Sequence, residues 1–231
     1  MEYRVENKYL VTQADLAVLA GRLRTVLPFD PHQKGDRYEI RSVYFDDAED
    51  RCMAENEAGA DEREKFRIRT YGPGSQVVHL EIKEKRRGMT KKRSCDLSRQ
   101  EAERILDGAF PLAFDGRKEL NLLHLQMRCS HLRPKALIAY ERTAFVYPVG
   151  NVRITFDCNI SASGFCRTFF DPRYPGAVPV LPAGIHILEV KYDELLPDFI
   201  AELLELRTLQ QTAFSKYYLG RLAMAGQFPV L

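Results

Sequence analysis

Basic side chains stand at every second position in several short stretches of the sequence. In EKFRIR, Lys65, Arg67 and Arg69 alternate with Phe66 and Ile68. Successive side chains of a β-strand point to opposite faces, so this spacing predicts three cations on one face and two apolar groups on the other. Like charges on one face repel each other, which indicates a need for counter-charges or for an anionic ligand.

Other stretches repeat this arrangement with carboxylates among the cations. They are VENKY with Glu6 and Lys8, LEIKEK with Glu81 and Lys83, VRITFD with Arg153, and LEVKY with Glu189 and Lys191. Arginine binds phosphate oxygens through its planar fork and lysine binds them as a point charge, so these strands predict a phosphate site. Carboxylates are hard oxygen ligands suited to Mg²⁺ or Mn²⁺, and such an ion would bridge carboxylate and phosphate.

The elements that carry these side chains predict an α+β protein. Short turns join most of the predicted strands, about eight in number, which favours a mainly antiparallel sheet. Helices are predicted near the start, the middle and the end of the chain. Thr12 with Asp15 has the spacing of a capping box for the first helix, and Ser98 caps a later one. The 231 residues show no linker, and we expect a single domain over residues 1–231.

Charge, cysteine content and the position of the cations indicate which classes of partner and site the protein could have. The formal net charge is only +2, so a basic site must be local. Five cysteines without a C-x-x-C pair favour free thiols in the cytoplasm and argue against zinc. The cations lie on barrel-type strands rather than on an aromatic platform, which argues against nucleic acid. Neither a signal peptide nor a membrane-spanning run is expected, which favours the cytoplasm. If the protein works at a membrane, a separate membrane protein would have to recruit it to the inner face.

The same stretches, taken in order, resemble a known family. They are VENKY, SVYFD, KFRIRTYG, LEIKEK, ERTAF, VRITFD, LEVKYD and SKYYLG. Together they are similar to the VTC domain, the polyphosphate polymerase domain of the vacuolar transporter chaperone proteins. That domain belongs to the triphosphate tunnel metalloenzyme superfamily, which also includes the CYTH proteins. Arg4 stands where CYTH enzymes carry the first Glu of an E-x-E-x-K start, and this departure favours the VTC branch.

The resemblance implies a fold and a set of site residues. The fold is an eight-stranded antiparallel β-barrel that encloses a triphosphate tunnel, with helices packed outside and at the C-terminus. The implied catalytic residues are Lys8, Arg67, Arg69, Lys83, Arg142 and Arg153. The implied substrate-binding residues are Tyr140, Lys191, Lys216 and one basic residue of the TKKR strand. Strand parity favours Lys91 or Arg93 for that last position, and Lys92 stays open.

The resemblance also implies a metal and an activity. Glu189 matches the metal-binding Glu, while Glu6 and Glu81 are further metal candidates that could instead pair with lysines. The implied reaction is transfer of the ATP γ-phosphate to a growing polyphosphate chain with Mn²⁺ or Mg²⁺. Two alternatives use the same tunnel: a tripolyphosphatase, in which water is the acceptor, and a polyphosphate-binding module without turnover.

Overall fold

The described part of the chain, residues 4–109, 116–205 and 209–227 of a computed structural model, forms ten β-strands and six α-helices. The strands are β1 (Val5–Thr12), β2 (Tyr38–Asp46), β3 (Arg63–Thr70), β4 (Val78–Arg86), β5 (Met89–Leu97), β6 (Arg133–Tyr147), β7 (Val152–Ser163), β8 (Val178–Pro179), β9 (Ile185–Tyr192) and β10 (Gln210–Gln211). The helices are α1 (Gln13–Arg24), α2 (Arg51–Glu57), α3 (Arg99–Leu106), α4 (Lys118–Cys129), α5 (Asp198–Leu204) and α6 (Lys216–Met224).

The predicted fold class is confirmed as an antiparallel α+β fold. Eight of the ten strands are eight or more residues long, which matches the predicted number, and β8 and β10 are two-residue additions. All ten belong to one hydrogen-bonded sheet. Among the described residues the strand pairing does not close into a ring, so the barrel itself stays a prediction.

The chain divides into two compact units, each built from three chain segments. The first unit contains Met1–Glu39, Tyr140–Ile160 and Leu181–Phe214, and the second contains Ile40–Ala139, Ser161–Val180 and Ser215–Leu231. The assignment of residues 1–231 to a single domain stays a prediction.

In the first unit the strand order is β10-β1-β9-β7-β6. Helix α1 begins as predicted, because Thr12 and Asp15 form a reciprocal capping box. The leucines of α1 pack with apolar side chains of β7 and β9, among them Ile154 and Leu188. This packing occupies one face of β7 and β9, so the alternate side chains of these strands point to the other face.

In the second unit the strands β2, β3, β4 and β5 are neighbours in chain order. Phe66 and Ile68 of β3 lie in a core with side chains of α3 and α4, including Leu123 and Met127. The predicted apolar side of EKFRIR is therefore in the core. Helix α6 packs closely in this unit, since a Cβ at Gly220 would lie 2.4 Å from the Ile138 side chain.

No helix in the described ranges has the length and hydropathy needed to cross a bilayer.

Candidate functional site

A cluster of charged side chains lies on the face of the first unit opposite its apolar core. We call it the Glu189 cluster, and it consists of Glu6, Lys8, Arg142, Arg153, Asp157, Glu189 and Lys191. The strand register brings it together: Lys8 of β1 is directly opposite Glu189 of β9, and Arg153 of β7 is directly opposite Lys191. Six of these seven side chains are among the predicted site residues, and Asp157 is the addition.

Glu189 is surrounded by three basic side chains. Its carboxylate oxygens lie 3.7 Å from Lys8 Nζ, 3.4 Å from Arg142 Nη2 and 3.2 Å from Lys191 Nζ. These contacts are longer than the roughly 2.7–2.9 Å of tight charge-assisted hydrogen bonds. Lys8 Nζ also lies 3.3 Å from Glu6 and donates to the Phe214 carbonyl oxygen at 2.8 Å.

Arg142 is held much more tightly by Asp157. Its Nε and Nη2 donate to the two carboxylate oxygens at 2.6 and 2.7 Å, and both side chains are buried. Burial disfavours the charged guanidinium, but the Asp157 carboxylate outweighs this cost and holds the pKa of Arg142 well above its usual range. The guanidinium also lies 5.3 Å from the ring centre of Tyr140, which places that predicted residue beside Arg142.

Arg153 has two partners that are distant in sequence. Its Nη2 lies 3.0 Å from an Asp30 oxygen and donates to the Tyr38 hydroxyl at 3.1 Å. Burial raises the pKa of Tyr38, so its hydroxyl remains protonated and neutral at physiological pH. Asp30 and Tyr38 therefore fix the direction of a cation that the sequence predicted without its partners.

A second cluster lies in the second unit, on the face of β3, β4 and β5 opposite Phe66 and Ile68. We call it the Glu81 cluster, and it consists of Lys65, Arg67, Arg69, Glu81, Lys83 and Lys92. Lys65 is directly opposite Lys83, and Lys83 is directly opposite Lys92. Three lysines thus stand side by side across three strands, and like charges directly opposite each other are unfavourable by themselves.

Glu81 is the one carboxylate of this cluster. Arg67 donates to it from Nε at 2.6 Å, Lys92 donates from Nζ at 3.0 Å, and Arg69 Nη1 lies 3.6 Å away. Burial opposes ionisation of Glu81, but the charges of Arg67, Arg69 and Lys92 together outweigh it. They hold the pKa of Glu81 well below its usual range, so it is a carboxylate at neutral pH.

Lys65 of the Glu81 cluster lies close to the start of α6, which carries the predicted residue Lys216. Lys65 Nζ donates to Asn56 at 2.6 Å and to the Ser215 hydroxyl at 3.0 Å. Ser215 precedes α6 and accepts a hydrogen bond from the Tyr218 amide, and the buried Lys216 follows it as the first residue of that helix.

The predicted face of Lys91 and Arg93 is wrong. Lys92 lies with Arg67 and Glu81, whereas Arg93 is directly opposite Ile82 and binds Glu64 on the other face at 2.9 Å. The reason is the turn between β4 and β5. Arg87 and Gly88 form a two-residue turn with positive φ angles of 50° and 75°, and this turn sets the register of the hairpin. The register makes Lys92 the partner of Lys83.

The carboxylates of the Glu189 cluster fit part of a divalent metal site. Glu6 and Glu189 both lie near Lys8 Nζ, so two hard oxygen donors are close to one point. Mg²⁺ and similar ions take one or two carboxylates and complete their shell with water and phosphate oxygens. Within residues 4–109, 116–205 and 209–227 no group of three or more Asp, Glu, His or Cys side chains is arranged to hold an ion alone. Glu6 and Glu189 would therefore leave most of the shell of a divalent ion to water and phosphate oxygens.

Several functional contacts were missed at the sequence level. Asp157 has the strand parity of Arg153, so alternation could have identified it. Alternation within SVYFD could also have identified Tyr44, which accepts a hydrogen bond from Arg67. No local pattern identifies Asp30, because its contact with Arg153 joins distant parts of the chain.

Comparison with known proteins addresses the family and the fold. The structure resembles a proposed adenylate cyclase from Bacillus halodurans, with a TM-score of 0.52, 18% identity and coverage of 87% of this chain and 86% of that chain. It also resembles a proposed adenylyl cyclase from Hippeastrum with a dominant triphosphatase activity. There the TM-score is 0.54, the identity is 15% and coverage is 100% of this chain and 98% of that chain.

These likenesses are at low identity, and they concern the fold. No curated protein sequence matches the chain. A family model described as the VTC domain matches residues 3–225, nearly the whole length. The resemblance inferred from VENKY through SKYYLG is thereby confirmed, and the chain belongs to the VTC domain family.

Proposed function

We propose that this chain is a metal-dependent polyphosphate polymerase that transfers the γ-phosphate of ATP to a growing polyphosphate chain. The observation that carries the proposal is the arrangement of the Glu81 cluster, in which Arg67, Arg69 and Lys92 lie at the Glu81 carboxylate and Lys65, Lys83 and Lys92 are neighbours across three strands. Cations placed side by side on one face favour the binding of an anion. A linear chain of phosphates, each with a negative charge, fits a row of cations that crosses three strands.

The Glu189 cluster of the first unit supports the proposed metal dependence. The Glu189 cluster contains as many carboxylates as cations once Asp30 is included, so it carries little net charge. Glu189 and Glu6 would hold a divalent ion, Mn²⁺ or Mg²⁺, which supplies charge neutralisation for the phosphates when bound. Lys8, Arg142, Arg153 and Lys191 would orient the phosphates beside it.

Phosphoryl transfer needs positioning and charge neutralisation more than covalent help from the protein. Arg67 and Arg69 would contact the non-bridging oxygens of the transferred phosphate, and Lys83 and Lys92 would offset the charge that develops on the phosphates of the leaving ADP. In chain extension the acceptor is itself an anionic phosphate oxygen. It is already nucleophilic, so the proposed reaction requires no general base.

Hydrolysis of tripolyphosphate is the second candidate function. The same cationic residues would bind the substrate, and water would replace the phosphate chain as the acceptor. The triphosphatase activity of the Hippeastrum protein, which has a similar fold, favours this candidate. A polyphosphate-binding module without turnover is the third candidate.

A product assay separates the three candidates. The full chain is incubated with ATP and Mn²⁺, or with Mg²⁺, and long polyphosphate and orthophosphate are measured. Tripolyphosphate replaces ATP in a parallel reaction. Synthesis of long polyphosphate is the expected result, whereas orthophosphate release from tripolyphosphate without polymer identifies a hydrolase. Binding of polyphosphate with neither product identifies a binding module.

Glu189→Gln is the variant for this assay, because it removes the carboxylate charge and keeps the side-chain shape. We expect it to abolish synthesis in either metal. Glu103→Gln is the matched control, since Glu103 is half-exposed on α3 and pairs with Arg99 one helical turn away. Equal activity of both variants would show that Glu189 has no special role.

The proposal includes the cellular location of the protein. We place the chain in the cytoplasm, with a separate membrane protein that recruits it to the inner face of a membrane. Fractionation of cells with and without membrane solubilisation tests this, since a protein that never sediments with membranes has no such partner.

A further inference from the structure

Two side chains hold the Arg67 guanidinium group: the Glu81 carboxylate and the Tyr44 hydroxyl. Its Nε and Nη2 each lie 2.6 Å from Glu81 Oε2, and its Nη1 donates to the Tyr44 hydroxyl at 2.9 Å. Tyr44 of β2 is directly opposite Arg67 of β3 in the strand register. The guanidinium group is therefore fixed at two of its edges by partners from different strands.

Tyr44 is in turn fixed by α6. Its ring stacks on that of Tyr217, with ring centres 5.5 Å apart. The Tyr217 hydroxyl donates to Asp46 at 2.6 Å and accepts from Arg221 Nη1 at 2.8 Å. Asp46 also accepts from the backbone amides of Cys52 and Met53 at the start of α2. The Tyr217 ring that supports Tyr44 is thus buried, and its hydroxyl both donates and accepts a hydrogen bond.

We propose that Tyr44 is a positioning residue for Arg67, which rests on the proposed role of Arg67 in binding phosphate. A free arginine side chain loses rotamer freedom when it binds a ligand, and a side chain that is already held loses less. Glu81 can hold Arg67 only by neutralising part of its charge. The Tyr44 hydroxyl fixes the guanidinium direction while leaving that charge available to a phosphate oxygen.

Tyr44→Phe tests this because it removes the hydroxyl and keeps the ring stacked on Tyr217. Binding of tripolyphosphate to the full chain is measured by calorimetry, and turnover is measured with ATP and Mn²⁺. We expect affinity and kcat/KM to fall about tenfold, the effect typical of a lost hydrogen bond to a charged group. Tyr174→Phe is the matched control, because the Tyr174 hydroxyl donates to the carbonyl oxygens of Leu137 and Ser161 in the same unit. It should leave both measurements within about twofold.

A double-mutant cycle distinguishes positioning from general damage. Adding Tyr44→Phe to Arg67→Ala should cause no further loss of tripolyphosphate affinity, since the hydroxyl acts through Arg67. An equal loss in both backgrounds, or no loss in the wild-type background, overturns the proposal. Tripolyphosphate binding without polymer synthesis refutes the polymerase function and leaves the test of Tyr44 intact. A wild-type chain that binds no tripolyphosphate refutes both.

Discussion

Arg142 and Asp157 form a two-point ion pair that is closed to solvent, with both contacts at or below 2.7 Å. Removing one partner of such a pair leaves a buried charge without compensation. We therefore expect Asp157→Asn to lower the free energy of unfolding by about 3 kcal/mol. Urea unfolding at neutral pH measures the change. Glu103→Gln, which breaks an exposed pair, should cost less than about 1 kcal/mol, and similar values for the two variants would contradict this account.

Two glycines within helices should respond to alanine in opposite directions. A Cβ at Gly220 of α6 would meet the Ile138 side chain at 2.4 Å and Ala162 Cβ at 3.2 Å, whereas a Cβ at Gly21 of α1 would meet nothing within 4 Å. Gly220→Ala should destabilise by about 1–3 kcal/mol through overpacking. Gly21→Ala should stabilise by up to about 1 kcal/mol, because alanine has the higher helix propensity. Thermal unfolding of both variants tests the contrast, which fails if the two shifts have the same sign.

Two buried threonines offer a similar contrast for hydrogen bonding. Thr155, directly opposite Glu189, is 1% exposed, and its hydroxyl has no hydrogen-bond partner among the described residues. The Thr70 hydroxyl donates to the Val77 carbonyl oxygen at 3.0 Å. Thr155→Val should leave the unfolding free energy unchanged or raise it, while Thr70→Val should lower it by about 1–2 kcal/mol. A larger loss at Thr155 than at Thr70 would contradict this expectation.

Asp50 should contribute to stability in a defined range of acidic pH. Hydrogen bonds from Arg221 and Lys135 lower its pKa to about 2, below the ordinary value of 3.8. Because the folded-state pKa is depressed, the contribution is complete above pH 4 and is lost as the pH falls towards 2. Asp50→Asn should therefore be less stable than wild type at pH 6, and the difference should shrink as the pH falls below 4. A difference that is constant from pH 6 to pH 2.5 would rule out this linkage.

Lys92 and Arg93 should differ in their effect on ligand binding. Lys92 lies in the Glu81 cluster beside Arg67, and Arg93 pairs with Glu64 on the opposite face. Lys92→Ala should weaken tripolyphosphate binding about tenfold, the effect of losing one charged contact, and Arg93→Ala should weaken it less. Calorimetry on the full chain measures both. A stronger effect of Arg93→Ala would restore the face that strand parity alone suggested.

Local patterns predicted the elements of this protein well. The α1 capping box and the alternation in EKFRIR each depend on residues close together in sequence. Lys91 and Arg93 were assigned to the wrong face because alternation divides the side chains of a strand between two faces but does not show which face points to the core. The turn at Arg87 and Gly88 resolves this, since a two-residue loop fixes the register of the strands that it joins.

Long-range contacts explain what local patterns could not predict. The strands β8 and β10 are too short for a periodic signal and exist because β7 and β1 offer them a partner. Arg153 was predicted from its strand, but its partners Asp30 and Tyr38 lie more than 100 residues away. Which partners each cation binds therefore depends on the tertiary structure.

The division of each unit into three chain segments affects how the protein folds during synthesis. The strands β2 to β5 are synthesised well before α6, which contributes the Tyr217 ring that supports Tyr44. In the first unit, β1 is synthesised well before β9, which carries Glu189 and pairs with it. Neither unit is therefore complete until its last chain segment has been synthesised. The early strands would expose unpaired edges and like-charged rows during that interval, which makes them the natural clients of chaperones.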